Sequence, residues 1–148
     1  MKPIAQNRRA RYDYELLDTI EAGIELRGGE VKSIKAGEVS ISEAFVKILG
    51  DEAHLVNAYV KPYQNQGHEI DTSRSRKLLL HKQELTKLIG ASREASRTVI
   101  PTKIYLKRGL VKVEIALAKG KKAHDKRESI KAKDQKREAA QAVRESHR

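Results

Sequence analysis

The sequence predicts an all-β protein with small helices: an OB-type antiparallel β-barrel flanked by short α-helices and followed by a disordered basic C-terminal tail. Most of the chain alternates apolar and polar residues in short runs separated by glycines, as half-buried strands do. Two stretches carry apolar residues at helical spacing instead. The last thirty residues hold eleven Lys or Arg and five Asp or Glu, with only two large aliphatic residues, too few to fold alone.

The first half of the chain is predicted to contain four strands and one short helix. Alternation of apolar and polar residues predicts strands at residues 12–16, 20–26, 45–49 and 55–60. Between the second and third of these, Val31 and Ile34 share a helical face, and Gly37 is expected to end the helix. The third and fourth strands flank a turn at residues 50–52, which is typical of a hairpin.

The second half of the chain is predicted to begin with a long polar loop at residues 63–75. A helix ending at Gly90 is predicted from four apolar residues at helical spacing, Leu78, Leu85, Leu88 and Ile89. Two strands then flank a turn at residues 107–109, with alternation that is strongest over 111–117. Five or six short antiparallel strands interrupted by small helices favour a closed barrel over a parallel α/β sheet.

The chain is predicted to divide into the barrel, residues 1–118, and the tail, residues 119–148. On a helix, six cations of the tail would fall on one narrow stripe: Lys122, Lys126, Lys133, Arg137, Arg144 and Arg148. Like charges four residues apart weaken an isolated helix by roughly 0.2–0.5 kcal/mol per pair, whereas phosphates along the stripe would remove that repulsion. We therefore predict a tail that is disordered when free and helical on RNA. A basic terminus that only improves solubility is the alternative.

The charge of the chain favours a nucleic-acid partner. Formal charge is +11, of which residues 1–118 contribute +5 and the tail +6. A positive field of this kind attracts RNA and speeds encounter with it. The sequence has no apolar run long enough to span a bilayer and no cysteine, which suits a reducing cytosol. These features predict a cytoplasmic protein with no membrane partner.

The sequence lacks the motifs expected of an enzyme. It has no G-x-S-x-G turn, and its five histidines are scattered without an H-E-x-x-H pattern. The segment around Gly120 and Lys121 departs from a phosphate-binding loop, because Ile115 stands where the first glycine of that motif would be. We predict a protein that is not an enzyme and has no catalytic residues, metal, cofactor or small-molecule substrate.

Five stretches of the chain together carry a specific pattern. They are NRRARYDY at 7–14, EAGI at 21–24, GEVKSI at 29–34, RSRKLLLH at 74–81 and GKKAHDKRE at 120–128. In this order and spacing they resemble the SmpB family, the tmRNA-binding proteins of bacterial trans-translation. The resemblance implies an OB-type barrel that binds the tRNA-like domain of tmRNA and delivers it to stalled ribosomes. It also implies a tail that probes the empty mRNA channel near the decoding centre of the small subunit.

The resemblance assigns roles to individual residues. The positions that it implies for tmRNA contact are Asn7, Arg9, Glu21, Lys32, Arg76, Lys77, Leu79 and His81. The positions that it implies for ribosome contact by the tail are Lys121, Lys122, His124, Asp125, Lys126, Arg127, Lys133 and Arg137. Lys and Arg would attract phosphate, whereas Asn, Glu and His would hydrogen-bond base edges or sugar hydroxyls. Leu79 would pack on a sugar or base, or else lie in the barrel core, and Glu21 has a plain exposed strand position as its alternative.

The partners that follow are tmRNA and the ribosome in the bacterial cytoplasm, and we expect a monomer. A permanent ribosomal or assembly protein with a basic extension is the second hypothesis. An RNA-modifying enzyme is the third, and the absence of a recognisable acid, base or nucleophile motif counts against it.

Overall fold

The two longest strands of the protein form a hairpin from which the rest of the sheet is built. A computed structural model describes residues 3–62, 72–94 and 97–120. Strands Arg97–Lys107 and Leu110–Gly120 pair along their whole length. Arg108 and Gly109, which join them, both have positive φ values of 52° and 78°. Two consecutive positive φ angles give a type I′ turn, whose twist matches that of the flanking strands. The predicted turn at 107–109 is confirmed.

The remaining elements are short. In chain order the described residues form β1 (Pro3–Gln6), α1 (Ala10–Asp13), β2 (Tyr14–Ile24), α2 (Gly28–Lys35), β3 (Val39–Ser40), β4 (Phe45–Leu49), β5 (Glu52–Val56), β6 (Tyr59–Val60), β7 (Arg76–Leu79), α3 (Lys82–Ser92), β8 (Arg97–Lys107) and β9 (Leu110–Gly120). All of the strand pairs are antiparallel.

Six strands close into a ring. The order of hydrogen-bonded neighbours is β8, β4, β5, β7, β2 and β9, and β9 pairs again with β8. β1 pairs with β8 over residues 103–105, beyond the pairing of β8 with β4 at Val99, and β3 pairs with β6 in a separate two-stranded sheet. Closure removes open strand edges from the ring. The predicted fold class, an antiparallel barrel with short flanking helices, is confirmed.

The barrel interior is filled by aliphatic side chains from alternate strand positions. Ala22, Leu55, Val113 and Ile115 are 0% exposed. Because successive residues of a strand point to opposite faces, most of their sequence neighbours are only partly buried or exposed, although Ala116 next to Ile115 is also buried. The helices cover the barrel with one apolar side each, since Ile34 of α2 and Leu88 of α3 belong to the same core.

Three elements differ from the sequence predictions. The helical spacing places Leu78 in the apolar stripe of the following helix, but Leu78 lies in β7 with 3% exposure, and α3 begins at Lys82. α3 also continues through Gly90 to Ser92, because a helix tolerates a single glycine at a cost of about 1 kcal/mol. The two strands predicted over 12–26 are one strand, β2, preceded by the short helix α1.

The predicted long loop is joined to the sheet near its end. Thr72, near the end of that loop, accepts a backbone hydrogen bond from the N–H of Val60 at 3.0 Å. Residues 63–71 lie outside the described residues.

β9 continues to Gly120, two residues beyond the predicted boundary at 118, because Gly120 still pairs with Tyr14 of β2. The predicted tail contacts, from Lys121 to Arg137, lie outside the described residues.

Candidate nucleic-acid interface

Four of the predicted RNA-binding residues line one groove beside β7. Glu21 comes from β2, Lys77 and Leu79 come from β7, and His81 precedes α3. The groove has a volume of about 540 Å³. These residues meet because β7 pairs with the end of β2, where Gly23 is opposite Leu79 and Ile24 is opposite Leu78. The barrel topology thus brings together residues that are about 60 positions apart in sequence.

Leu79 is exposed, whereas its neighbour Leu78 belongs to the core. Their exposures are 49% and 3%, which follows from the alternation of side chains along β7. Leu79 lies over Gly23, at which an added Cβ would be only 3.2 Å from the Cβ of Leu79. The glycine therefore leaves room for the leucine at the groove wall. Of the two sequence interpretations of Leu79, surface contact and barrel core, the position fits the first.

Glu21 presents an ionised carboxylate at the same groove. The hydroxyl of Tyr105 donates to Glu21 Oε2 at 2.5 Å, and Lys107 Nζ lies 3.3 Å from Oε1. The hydrogen bond from Tyr105, together with Lys107, lowers the pKa of Glu21 despite a smaller opposing effect of burial. Burial and the same hydrogen bond raise the pKa of Tyr105. Each carboxylate oxygen has two lone pairs, so Glu21 can accept further hydrogen bonds from an incoming base.

Lys77 is held at the groove by a second carboxylate. Its Nζ lies 3.2 Å from Glu52 Oε1, while Glu52 Oε2 lies 3.0 Å from His54 Nε2. The contact with His54, followed by that with Lys77, lowers the pKa of Glu52. On the other side of the groove, Glu84 accepts a hydrogen bond from the backbone N–H of His81 at 3.1 Å, which fixes the start of α3.

The groove is mixed in charge rather than purely cationic. Four acidic residues and two lysines line it: Glu21, Asp51, Glu52, Glu84, Lys77 and Lys112. Carboxylates accept hydrogen bonds from base amino groups but repel phosphate, and an exposed leucine packs on a sugar or base. The groove chemistry therefore suits unpaired bases and ribose more than a run of phosphates.

A match to a protein family identifies the kind of protein that carries this groove. The family model described as SmpB protein matches residues 4–145. The chain belongs to the SmpB family. Two SmpB relatives are SsrA-binding proteins. The one from Nostoc punctiforme is 52% identical and the one from Acaryochloris marina is 49% identical, and each alignment covers 97% of this chain and 94% of the relative.

A solved SmpB structure resembles the fold. It is described as "tmRNA-SmpB: a journey to the center of the bacterial ribosome". Its chain is 46% identical, with a TM-score of 0.68, and the match covers 84% of this chain and 92% of that chain. The similarity therefore extends over the described barrel and is not restricted to one motif.

Two residues predicted from the SmpB resemblance lie away from the groove. Asn7 and Arg9 border a separate cavity of about 260 Å³ next to α1. Asn7 is 9% exposed, and its Nδ2 donates to the carbonyl of Pro101 at 3.1 Å. Its backbone N–H donates to the carbonyl of Thr102 at 2.8 Å. Asn7 thus fastens the start of α1 to β8, while Arg9 is exposed at the helix start.

Lys32 and Arg76 occupy a third location, at α2 and the start of β7. Lys32 is exposed on α2. Arg76 is only 1% exposed and pairs with Glu30 of α2, from Nη2 to Oε2 at 2.5 Å. Because the guanidinium is enclosed, the direct RNA contact predicted for Arg76 does not fit this geometry. The eight predicted residues therefore fall into three places rather than one continuous patch.

Sequence reasoning missed the partners that hold these residues. Glu30, Arg74, Glu52 and Tyr105 were assigned no role, yet each contacts or supports a residue predicted for RNA binding. Glu30 and Arg74 are 44 residues apart in the sequence, and Glu21 and Tyr105 are 84 residues apart. Only the strand pairing brings them together, so no local pattern could have indicated these contacts.

Two other features, a metal site and a membrane-spanning helix, are absent from the residues that the structure describes. Within residues 3–62, 72–94 and 97–120, no group of three or more metal-ligating His, Asp or Glu side chains is present. No helix in the same ranges is long and apolar enough to cross a bilayer.

Substitution of Leu78 and of Leu79 by alanine should have opposite effects. L78A removes a buried side chain and should lower the free energy of unfolding by about 2–5 kcal/mol. L79A should leave it almost unchanged but weaken RNA binding roughly tenfold, because about 1.5 kcal/mol of apolar burial on RNA is lost. Urea unfolding and RNA titration of both variants test this pair. Equal RNA affinity of L79A and the unmodified protein would contradict it.

Substitution of Glu21 by alanine should weaken RNA binding with little loss of stability. A well-placed contact to a base contributes about 1–3 kcal/mol, so the affinity should fall by at least about fivefold. The Tyr105→Phe variant is the matched control, because it removes the hydrogen bond to Glu21 and keeps the carboxylate. Gel shift and thermal unfolding should show that only E21A loses affinity. A similar loss in both variants would indicate that the hydrogen bond between Tyr105 and Glu21, rather than a direct contact of the carboxylate with RNA, supports binding.

Proposed function

We propose that this protein binds tmRNA through the barrel and delivers it to stalled ribosomes as a non-catalytic adaptor in trans-translation. The observation that carries the proposal is the family match over residues 4–145. Relatives about half identical over nearly the whole chain are SsrA-binding proteins, and the similar solved structure is of tmRNA-SmpB in the bacterial ribosome. Such similarity over nearly full length supports the same partners, tmRNA and the ribosome, and a location in the bacterial cytoplasm.

The groove beside β7 supports a role in RNA recognition. It combines an ionised acceptor, Glu21, with an exposed apolar side chain, Leu79, and a cation, Lys77. Sequence-specific recognition of RNA uses unstacked bases in loops, which require hydrogen-bonding groups and flat contact surfaces rather than charge alone. Lys32 and Arg9, exposed elsewhere on the surface, would add phosphate contacts that orient the RNA.

The proposed division of labour places tmRNA binding in residues 1–118 and ribosome contact in the tail, residues 119–148. The tail carries +6 of the +11 net charge and has few apolar residues. A segment of this composition binds RNA mainly by charge and gains order on binding. We propose that it enters the empty mRNA channel as a helix, with the cation stripe against phosphate, as predicted from the sequence.

The absence of catalysis is also part of the proposal. The groove residues are tied by hydrogen bonds and ion pairs that hold a surface in place. An adaptor of this kind needs only binding and positioning.

Sequencing of the RNA that copurifies with the protein from bacterial cells tests the proposed function. The expected result is one strongly enriched species, tmRNA, with ribosomal RNA in smaller amount. The L79A variant, which keeps its core, should lose most of that enrichment. Bulk ribosomal RNA without tmRNA would contradict the proposal and support a permanent ribosomal component instead.

A further inference from the structure

The Arg76 guanidinium makes four hydrogen bonds and an ion-pair contact, all within the protein. Its Nε donates to Glu30 Oε2 at 2.6 Å. Nη2 lies 2.5 Å from the same oxygen and donates to the carbonyl of Thr72 at 3.1 Å. Nη1 donates to the carbonyls of Ala58 at 2.8 Å and of Arg74 at 3.1 Å. Four of the five N–H groups of the guanidinium are thus engaged, and at 1% exposure the side chain presents almost no surface to a phosphate.

Glu30 connects the same cluster to the start of α2. Its Oε1 accepts from the backbone N–H of Arg27 at 2.9 Å and from Nη2 of Arg74. Burial would raise the pKa of Glu30, but these hydrogen bonds and those from Arg76 outweigh it and lower the pKa. The carboxylate is therefore ionised, and it joins α2, β7 and the chain segment before β7.

β7 needs an anchor of this kind because it is short. It has four residues and pairs with β2 at two positions and with β5 at three. Arg76 is its first residue, and the two predicted RNA contacts, Lys77 and Leu79, follow on its outer side. So few strand pairs fix the register of a strand weakly, and a slip by one residue would turn Lys77 and Leu79 inward.

We propose that Arg76 is a positioning residue for RNA binding, which fixes Lys77 and Leu79 at the groove through Glu30 and does not touch RNA itself. This inference rests on the proposed function. Rotation of Arg76 toward a phosphate would leave the Glu30 carboxylate with fewer partners and would remove the Arg76 donor from the carbonyls of Ala58 and Thr72. Buried polar groups without partners are strongly disfavoured, so the inward orientation should persist in the complex.

The salt dependence of tmRNA binding distinguishes positioning from direct contact. A cation that neutralises a phosphate contributes about 0.7–0.9 to the slope of log affinity against log salt. The control variant, Lys77→Met, should flatten the slope by about that amount and leave the melting temperature nearly unchanged. Arg76→Met should instead weaken binding severalfold at every salt concentration without changing the slope, and should lower the melting temperature. Flattening of the slope by Arg76→Met would overturn the inference.

The Arg76→Lys variant gives a second readout. Lysine keeps the charge but cannot form the forked contacts to Glu30 and the carbonyls. If Arg76 only positions β7, lysine should not restore the affinity that methionine loses. Full restoration by lysine would indicate a phosphate contact and contradict the inference. Affinities are compared at a temperature at which circular dichroism shows each variant to be folded, so that a loss reflects the folded protein.

NMR of the unmodified chain tests the inference even if the variants do not fold. The Nε–H signal of Arg76 should exchange slowly with solvent both in free protein and with tmRNA bound. No nuclear Overhauser effect should connect it to the RNA, whereas Leu79 methyl groups should show one. A contact between Arg76 and RNA would overturn the inference alone. Failure of the unmodified protein to bind tmRNA would overturn the proposed function, and the inference with it.

Discussion

Replacement of Glu30 by glutamine should lower the free energy of unfolding by about 3–5 kcal/mol. The side chain is 5% exposed, and its carboxylate holds Arg76, which is 1% exposed. Glutamine keeps the shape but removes the charge, so a buried guanidinium loses its counterion. Because folded domains are stable by only about 5–15 kcal/mol, such a loss is a large part of the total. Urea unfolding at neutral pH measures it.

The same carboxylate should give a pH dependence of stability. The pKa of Glu30 is lowered in the folded protein, so the folded state favours the ionised form. The contribution of Glu30 to the free energy of unfolding is therefore complete above the ordinary glutamate pKa of about 4.3. It is lost as the pH falls through the lowered pKa of the folded protein. Unfolding curves from pH 7 down to pH 3 should show a smaller decrease in E30Q than in the unmodified protein.

Glu38 provides a matched control for these measurements. It lies just after α2 and pairs with Lys61 at 3.9 Å, but its side chain is 51% exposed. Exposed ion pairs contribute about 0–1 kcal/mol, so E38Q should change stability little. If E30Q and E38Q had equal stability, the Glu30 and Arg76 cluster would not have the role assigned to it.

Removal of the tail after Gly120 should abolish peptide tagging on stalled ribosomes while the protein still binds tmRNA. The cut follows the last residue of β9, so the strand pairs that close the barrel remain. The removed segment carries most of the cations expected to lie along the mRNA channel. A reconstituted translation system with a message lacking a stop codon measures tagging, and gel shift measures binding.

Two variants of the full-length chain make the tail experiment more specific. In the first, four stripe cations, Lys122, Lys126, Lys133 and Arg137, are changed to glutamine. In the second, four acids of the other face, Asp125, Glu128, Asp134 and Glu138, are changed to their amides. Only the first should lose tagging, because phosphate contacts come from the stripe. Normal tagging by the first variant, or by the chain ending at Gly120, would contradict the proposed role of the tail.

Local patterns were sufficient to predict much of the barrel. The hairpin of β8 and β9 followed from alternating side chains on both sides of Gly109, and α2 followed from Val31 and Ile34 with Gly37 after them. Alternation reports strands directly when one face of each strand is buried. The prediction of a closed barrel combined several such strands with the short connections between them.

The helical placement predicted for Leu78 was wrong because that residue is compatible with two patterns. Leu78 fits the spacing of the helix stripe as well as the inward face of a strand, and the pairing with Gly23 and Ile24 decides between them. The RNA contact predicted for Arg76 rests on the resemblance to the SmpB family and not on a local pattern. The burial of Arg76 depends on Glu30, 46 residues away, and only the tertiary structure shows that pairing.

The proposed function depends most on specific binding of tmRNA by the barrel without the tail. The most direct test is the binding of the chain ending at Gly120 to the tRNA-like domain of tmRNA in the presence of excess tRNA. We expect a stable complex that tRNA does not displace and that the L79A change weakens. Displacement by tRNA as readily as by unlabelled tmRNA would contradict it.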